Sequence, residues 1–226
     1  ALDKTKIPYA VTLTADHGGH DLPERNRTNG LPAAERADIK LSAMLVGAGL
    51  QKQFGLTDNP LLGRANFGDI YLSTKVPADK RTAIRDAAVA LYRAHRQVEA
   101  VFTKDELSAT PSPTRPVDEW SLIERARASF DPERSGDFLV LLKEYVTPIP
   151  DPSMGYVATH GSVWGYDRRV PMLFWWKGVS GFEQPNAVET VDILPTLASL
   201  INLPVPAAEI DGRCLDLIQG QGSNCP

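Results

Sequence analysis

An acid and an imidazole stand side by side in Thr14-Ala15-Asp16-His17-Gly18-Gly19-His20-Asp21. Carboxylate oxygen and imidazole nitrogen are both zinc ligands, and carboxylate also suits harder cations. Two glycines follow, which let the backbone turn sharply or approach a ligand closely. The competing reading is a turn in which Asp16 caps a backbone group and His17 is simply polar. A further candidate ligand, His160, lies in Tyr156-Val157-Ala158-Thr159-His160-Gly161-Ser162. It sits beside a glycine and outside any helical periodicity, so only folding can bring it to Asp16 and His17. His20 and Asp21 read in two ways, as groups that orient His17 or substrate, or as a solvated turn; polar residues beside glycine favour the turn.

The elements that must position these residues follow from the patterning. Tyr9-Ala10-Val11-Thr12-Leu13 is an apolar run that predicts a buried strand ending at Asp16. In open α/β sheets, ligands bind beyond the carboxyl ends of strands. Residues 22–37, with Pro23, Gly30 and Pro32, predict a surface loop, and Asn26-Arg27-Thr28 is formally a glycosylation sequon of little weight. Ile39 to Phe54 predicts a helix weakened by Gly47 and Gly49 unless close packing uses them, with Gly55 as its stop. Asp69 to Ser73 is a short strand. Asp79 then caps a helix to about Arg96, with Ile84, Ala88, Leu91 and His95 on one line; His95 is structural on that reading. Val98 to Phe102 and the unbroken Phe138 to Leu142 predict strands, and Trp120 to Phe130 a helix. Residues 145–154 are irregular. Met172 to Trp176 predicts another buried strand. Asp192 is placed to cap a helix whose first turn holds Pro195 and whose Val191, Leu194, Ala198 and Ile201 face the core. Strand and helix alternate, as βαβ units do.

Composition bounds the function. The chain has 226 residues, 42% hydrophobic, with a net charge of −4. It can bury a core. Its pI near 5.6 argues against nucleic acid as a partner. No apolar run approaches the ~20 residues of a membrane span, and no signal peptide is visible at Ala1. Cys214 and Cys225 stand in a Gly/Ser/Asn-rich tail. Paired, they would pin that tail and favour an oxidising compartment; two free thiols are the alternative.

The motifs taken together resemble a known family. Thr-Ala-Asp-His-Gly-Gly at 14–19, Thr-His-Gly-Ser at 159–162, Val-Pro-Met-Leu-Phe-Trp from Val170, Val-Asp-Ile-Leu-Pro-Thr-Leu at 191–197 and Asp211-Gly212 are similar in order and spacing to the C-terminal part of the alkaline phosphatase superfamily. The nearest likeness is to bacterial alkaline phosphatases with a nucleotide pyrophosphatase/phosphodiesterase-type core. The resemblance implies an α/β fold, mostly a parallel sheet flanked by helices, and a two-zinc phosphoryl-transfer site, with magnesium or calcium as additional candidates. It implies that Asp16 and His17 hold the metal on the nucleophile side and that His160 holds the other. It also implies a phosphate ester substrate and a periplasmic or secreted location.

The family places its Ser or Thr nucleophile, an early metal-binding Asp and an Asp-x-x-x-His pair ahead of the Asp-His motif. Fifteen residues precede Asp16, with no histidine among them. Structural zinc takes about four protein ligands and catalytic zinc about three. The expectation is therefore one incomplete catalytic domain over 1–226, the C-terminal piece of a larger enzyme whose upstream part is its first partner. A small subdomain is expected around 103–136. The chain alone should be inactive, and an apolar sheet face left uncovered should favour a homodimer. A nucleotide phosphodiesterase, a sulfatase and a non-catalytic interaction module that kept the motif are the alternatives.

Overall fold

The computed structural model describes residues 2–63, 67–218 and 222–226. In chain order it forms β1 (Ala10–Leu13), α1 (Pro23–Thr28), β2 (Glu35–Arg36), α2 (Ala43–Gln53), β3 (Leu61–Leu62), β4 (Gly68–Leu72), α3 (Arg81–Arg93), β5 (Val98–Thr103), α4 (Lys104–Ala109), α5 (Leu122–Arg127), β6 (Phe138–Leu142), β7 (Val146–Thr147), α6 (Gly165–Arg168), β8 (Leu173–Trp176) and α7 (Ile193–Leu200). Contacts group into two compact units. One holds residues 1–16, 114–120 and 170–226; the other holds 17–113 and 121–169.

The larger unit is built on a four-stranded sheet of order β3-β4-β6-β5. Side chains alternate across it as pleating requires. Phe138, Val140 and Leu142 of β6 join Ile70, Val101, Ile84, Tyr92 and Leu50 in one core, which α2 and α3 cover. Leu139 and Leu141 face the other way and meet Leu107, Leu122 and Ala126 of α4 and α5. The run at 138–142 is apolar throughout because both faces of β6 are covered. The connection at 103–136 contributes the helices of this second layer.

The pairing differs from the parallel sheet expected. Every ladder of this sheet is antiparallel. Parallel pairing occurs, among the described residues, between β2 and β7, where Glu35 faces Val146. The strand-helix-strand reading of 69–102 holds, since β4, α3 and β5 make that crossover. However, β6 inserts between β4 and β5 and runs opposite to both. A period-2 or apolar-run signal gives a strand but not its neighbour, so this split arrangement was invisible in sequence.

Local departures have local causes. Residues 23–28 are helical rather than looped, because Pro23 stands at the first helical turn and Asp21 pairs with Arg25. Asn26 is buried with its side-chain amide donating to the Asp21 carbonyl at 2.8 Å, so the sequon is a structural asparagine. The helix read from Ile39 begins as a 3-10 turn and restarts at Ser42, whose hydroxyl accepts the Leu45 N–H. Gly47 is used for close packing: a Cβ there would fall on the Asn59 side chain. Gly55 ends the helix at φ +62°. Asp79 lies in a 3-10 turn before α3 and is not its N-cap, and α3 ends at Arg93. His95 is structural: its Nδ1 accepts the Gln97 N–H and its Nε2 lies 3.6 Å from Asp38.

In the smaller unit β1 pairs antiparallel with β8, Val11 opposite Trp175 and Leu13 opposite Leu173. These strands were expected to be buried. Instead those four side chains share one face of the ribbon and all are exposed, from 42% for Val11 to 59% for Leu13. The ribbon has two strands only, and among the described residues no further layer covers that face. The stripe expected on α7 is likewise exposed at Val191, Leu194 and Ile201; Thr196 and Ala198 are the buried positions. Asp192 holds the N-cap place, but its carboxylate accepts the Glu189 and Arg213 backbone N–H groups instead of capping α7. The Asp211-Gly212 turn presses on this element, and a Cβ at Gly212 would meet the Val191 carbonyl at 2.0 Å. Cys214 and Cys225 are joined as a disulfide, and part of the loop they close, 219–221, lies outside the described residues. No helix among the described residues is long and apolar enough to cross a membrane.

Candidate functional site

Of the three residues singled out, His17 and His160 are brought together in the larger unit. Their rings stack, with centroids 3.4 Å apart and planes 8° from parallel. Asp16 belongs to the smaller unit, where it is exposed just beyond β1. Both histidines are exposed side chains, so their placement comes from the backbone beneath them.

His17 Nδ1 lies 2.7 Å from the Gly18 carbonyl oxygen. That carbonyl can only accept, so Nδ1 carries the proton and Nε2 the lone pair, which is the tautomer a cation requires. Gly18 is seated on the short helix α6. Its N–H donates to the Asp167 carbonyl at 2.9 Å. A Cβ at Gly18 would lie 2.1 Å from the Tyr166 carbonyl oxygen. The first of the two glycines is therefore a close-approach residue; the second, Gly19, has open space around it.

His160 is placed from the other side. Gly161 takes φ +102°, a conformation that L side chains rarely adopt. The chain then anchors at Ser162, whose N–H donates to Asp167 Oδ2 at 2.8 Å. Sequence reading passed over Asp167. An acid three positions before Val170-Pro171, which lead into an apolar strand, and seven positions past a candidate ligand, was the available signal.

His20 is no solvated turn. It is half-buried, tilted against Tyr166 at 4.6 Å and edge-on to Tyr145 at 6.0 Å, with Asn26 Nδ2 at 3.3 Å from its Nδ1. Burial lowers its pKa below the ordinary imidazole value, against the opposing pull of Asp167 and Asp21. Burial also raises the Tyr166 phenol. Asp21 is held low by its hydrogen bonds from Arg25 and by the Leu22 N–H.

The donor chemistry fits a cation such as zinc, since two imidazoles are present and one has its tautomer fixed by a backbone carbonyl. Among the described residues no group of three or more His, Cys, Asp or Glu is assembled to hold a metal ion. The residues fit as a contribution to a metal site.

In sequence and in fold the chain is similar to part of the alkaline phosphatases. The structure superposes on wild-type alkaline phosphatase PafA with a TM-score of 0.74 at 25% identity, over 94% of this chain and 38% of that one. In sequence the chain is 54% identical over 226 residues to alkaline phosphatase PhoK of Sphingomonas sp., covering 99% of this chain and 40% of that protein. It is 50% identical to alkaline phosphatase PhoD of Zymomonas mobilis, covering 100% of this chain and 39% of PhoD. Alkaline phosphatase PafA of Elizabethkingia meningoseptica matches at 26% over 96% of the chain. The chain thus spans about 40% of the length of the curated relatives it matches. No family model matches it.

Proposed function

We propose that these residues are part of a phosphate monoester hydrolase of the alkaline phosphatase type, and that Asp16, His17 and His160 are metal ligands in it. The observation that carries the reading is the stacking of His17 on His160 within a sequence whose whole length matches alkaline phosphatases. The relatives' names point to monoesters, and nothing favours a nucleotide phosphodiesterase.

Zinc fits the nitrogen and oxygen donors best, and two bound divalent cations supply Lewis-acid stabilisation of the attacking and leaving oxygens of an in-line displacement. The chain's own groups supply the rest. Asp16 offers a carboxylate. His17 offers Nε2, oriented because Nδ1–H is held on the Gly18 carbonyl. His160 offers its imidazole from a loop fixed at Gly161 and Ser162. The nucleophile belongs to polypeptide outside these residues, so the 226-residue chain by itself should not turn over phosphate esters. A periplasmic or secreted setting is supported by the Cys214–Cys225 bond.

The test is p-nitrophenyl phosphate hydrolysis at alkaline pH with added zinc, on this chain and on the intact reading frame that encodes it. Hydrolysis by the latter that vanishes in His17→Ala is expected. Turnover by the isolated chain that depends on His17 would mean that the site is complete without further polypeptide.

A further inference from the structure

The two histidines lie far apart in sequence, and one residue touches the segments that carry both. Asp167 is 7% exposed. Its backbone carbonyl accepts the N–H of Gly18, the residue after His17, at 2.9 Å. Its carboxylate Oδ2 accepts the N–H of Ser162, two residues after His160, at 2.8 Å. Around these bonds the packing is close. Gly18 has no room for a Cβ against the carbonyls of Tyr166 and Arg169. Tyr166 itself is fixed, because its phenol oxygen accepts the Tyr145 N–H at 3.2 Å. The short helix α6 is thereby a seat on which the His17 and His160 segments both rest.

The carboxylate is buried at a cost. Its other oxygen, Oδ1, is buried without a hydrogen-bond partner among the described residues, which is rare for a buried polar atom and calls for a reason. A polar side chain retained under that penalty is most simply explained by what its satisfied oxygen does. Oδ2 holds the segment that turns at Gly161, bonding it at Ser162, two residues past His160.

We propose that Asp167 is a positioning residue for the His17–His160 pair. It holds the His160 segment with its side chain and the His17 segment with its backbone. As support for catalysis the assignment rests on the phosphatase reading above; as support for the ring stack it does not.

The test is made on the isotopically labelled 226-residue chain. Ring protons of His17 and His160 should show a direct dipolar contact by NMR. In Asp167→Ala that contact should disappear and the Ser162 amide should exchange at least tenfold faster, with amides of the β4–β6 ladder unchanged. Asp167→Asn should restore the contact, because its carbonyl oxygen can still accept from Ser162. A merely structural role would slow or speed all amides together and would leave the rings stacked in whatever fraction stayed folded. Persistence of the ring contact in a folded Asp167→Ala chain overturns the proposal. Should that variant not fold, exchange in the unaltered chain decides. Protection of both Gly18 and Ser162 amides supports the clamp, and exchange of either at the unstructured rate refutes it. If the intact protein hydrolyses no phosphate monoester while the ring contact still depends on Asp167, the phosphatase reading fails and the positioning role stands.

Discussion

The imidazole of His160 lies flat on that of His17, centroids 3.4 Å apart, although both side chains are exposed. Ordering two exposed rings costs conformational entropy. The arrangement therefore reflects the backbone that presents them, and it adds little to stability. Replacing either ring with alanine should leave the unfolding free energy within about 0.5 kcal/mol, as for other surface positions. On the proposed phosphatase reading, either change in the intact protein should lower kcat/KM by at least ~10³-fold, with little further loss in the double variant, as happens when residues act as one unit. Additive losses would show that the two act separately.

Gly18 and Gly19 separate what is spatial from what is conformational. At Gly18 a Cβ would meet the Tyr166 carbonyl at 2.1 Å, whereas at Gly19 it would meet nothing within 4 Å. Gly18→Ala should cost about 1–3 kcal/mol, the range of overpacking. Gly19→Ala should be neutral or stabilising by up to ~1 kcal/mol through the unfolded chain. Urea unfolding of both variants checks this, and equal effects would contradict the seating of Gly18 on α6.

Burial of His20 gives a signed pH dependence. Its folded pKa lies below the ordinary 6.5, with burial the leading cause and Asp167 and Asp21 opposing it. The unfolded chain therefore takes up the proton first as pH falls. Stability associated with His20 is present above 6.5 and is lost as pH falls through the folded value. Tyr145, Tyr166 and Asn26 complete its surroundings. The urea midpoint should fall between about pH 7.5 and pH 5, and fall less in His20→Gln. An identical fall in both proteins would remove His20 as the cause.

Much of this was legible in the sequence, for reasons that residues make plain. The run at 138–142 declared a strand because both its faces are buried, and Gly55 declared a helix end because only its φ of +62° closes α2. The Asp16-His17 and His160 segments stood out because glycines flank them. The order of strands did not show, since nothing in Phe138–Leu142 says that it inserts between β4 and β5. The burial of β1 and β8 was misread because an apolar run reports what a strand is suited to touch, and Val11, Leu13, Leu173 and Trp175 are exposed here. Asp167 escaped notice because its importance lies in contacts with Gly18 and Ser162, which no spacing announces.

The tail should depend on its disulfide. Asn224 lies beside Cys225, and its Oδ1 accepts the Leu217 N–H while its Nδ2 donates to the Leu215 carbonyl at 3.0 Å. Leu215 in turn donates its N–H to Thr196 of α7 at 2.9 Å. A closed loop of this size contributes roughly 3 kcal/mol in the chain-entropy model. Cys214→Ser with Cys225→Ser should release the amides of Leu215 and Leu217 to exchange while leaving the larger unit's sheet protected. Protein prepared under oxidising conditions should also take up no alkylating label before reduction, and labelling of both thiols would count against the bond.

The last prediction concerns the face formed by Val11, Leu13, Leu173 and Trp175. Cross-strand register puts these side chains in two facing pairs, Val11 with Trp175 and Leu13 with Leu173, on one side of the β1–β8 ribbon. Leu173 is 54% and Trp175 47% exposed, so the face presents apolar surface. Large apolar patches of this kind are uncommon on isolated soluble chains and mark surfaces that are covered in use. Covering an apolar side chain of this size contributes on the order of 1.5–3 kcal/mol if complete, so four together are enough to drive weak association. The isolated chain should therefore self-associate, with sedimentation that depends on concentration in the micromolar range. Leu13→Ser combined with Trp175→Ser should abolish the dependence while the larger unit's sheet stays folded. A chain that sediments as a monomer at every concentration, before and after that change, would show that exposure of this face carries no driving force.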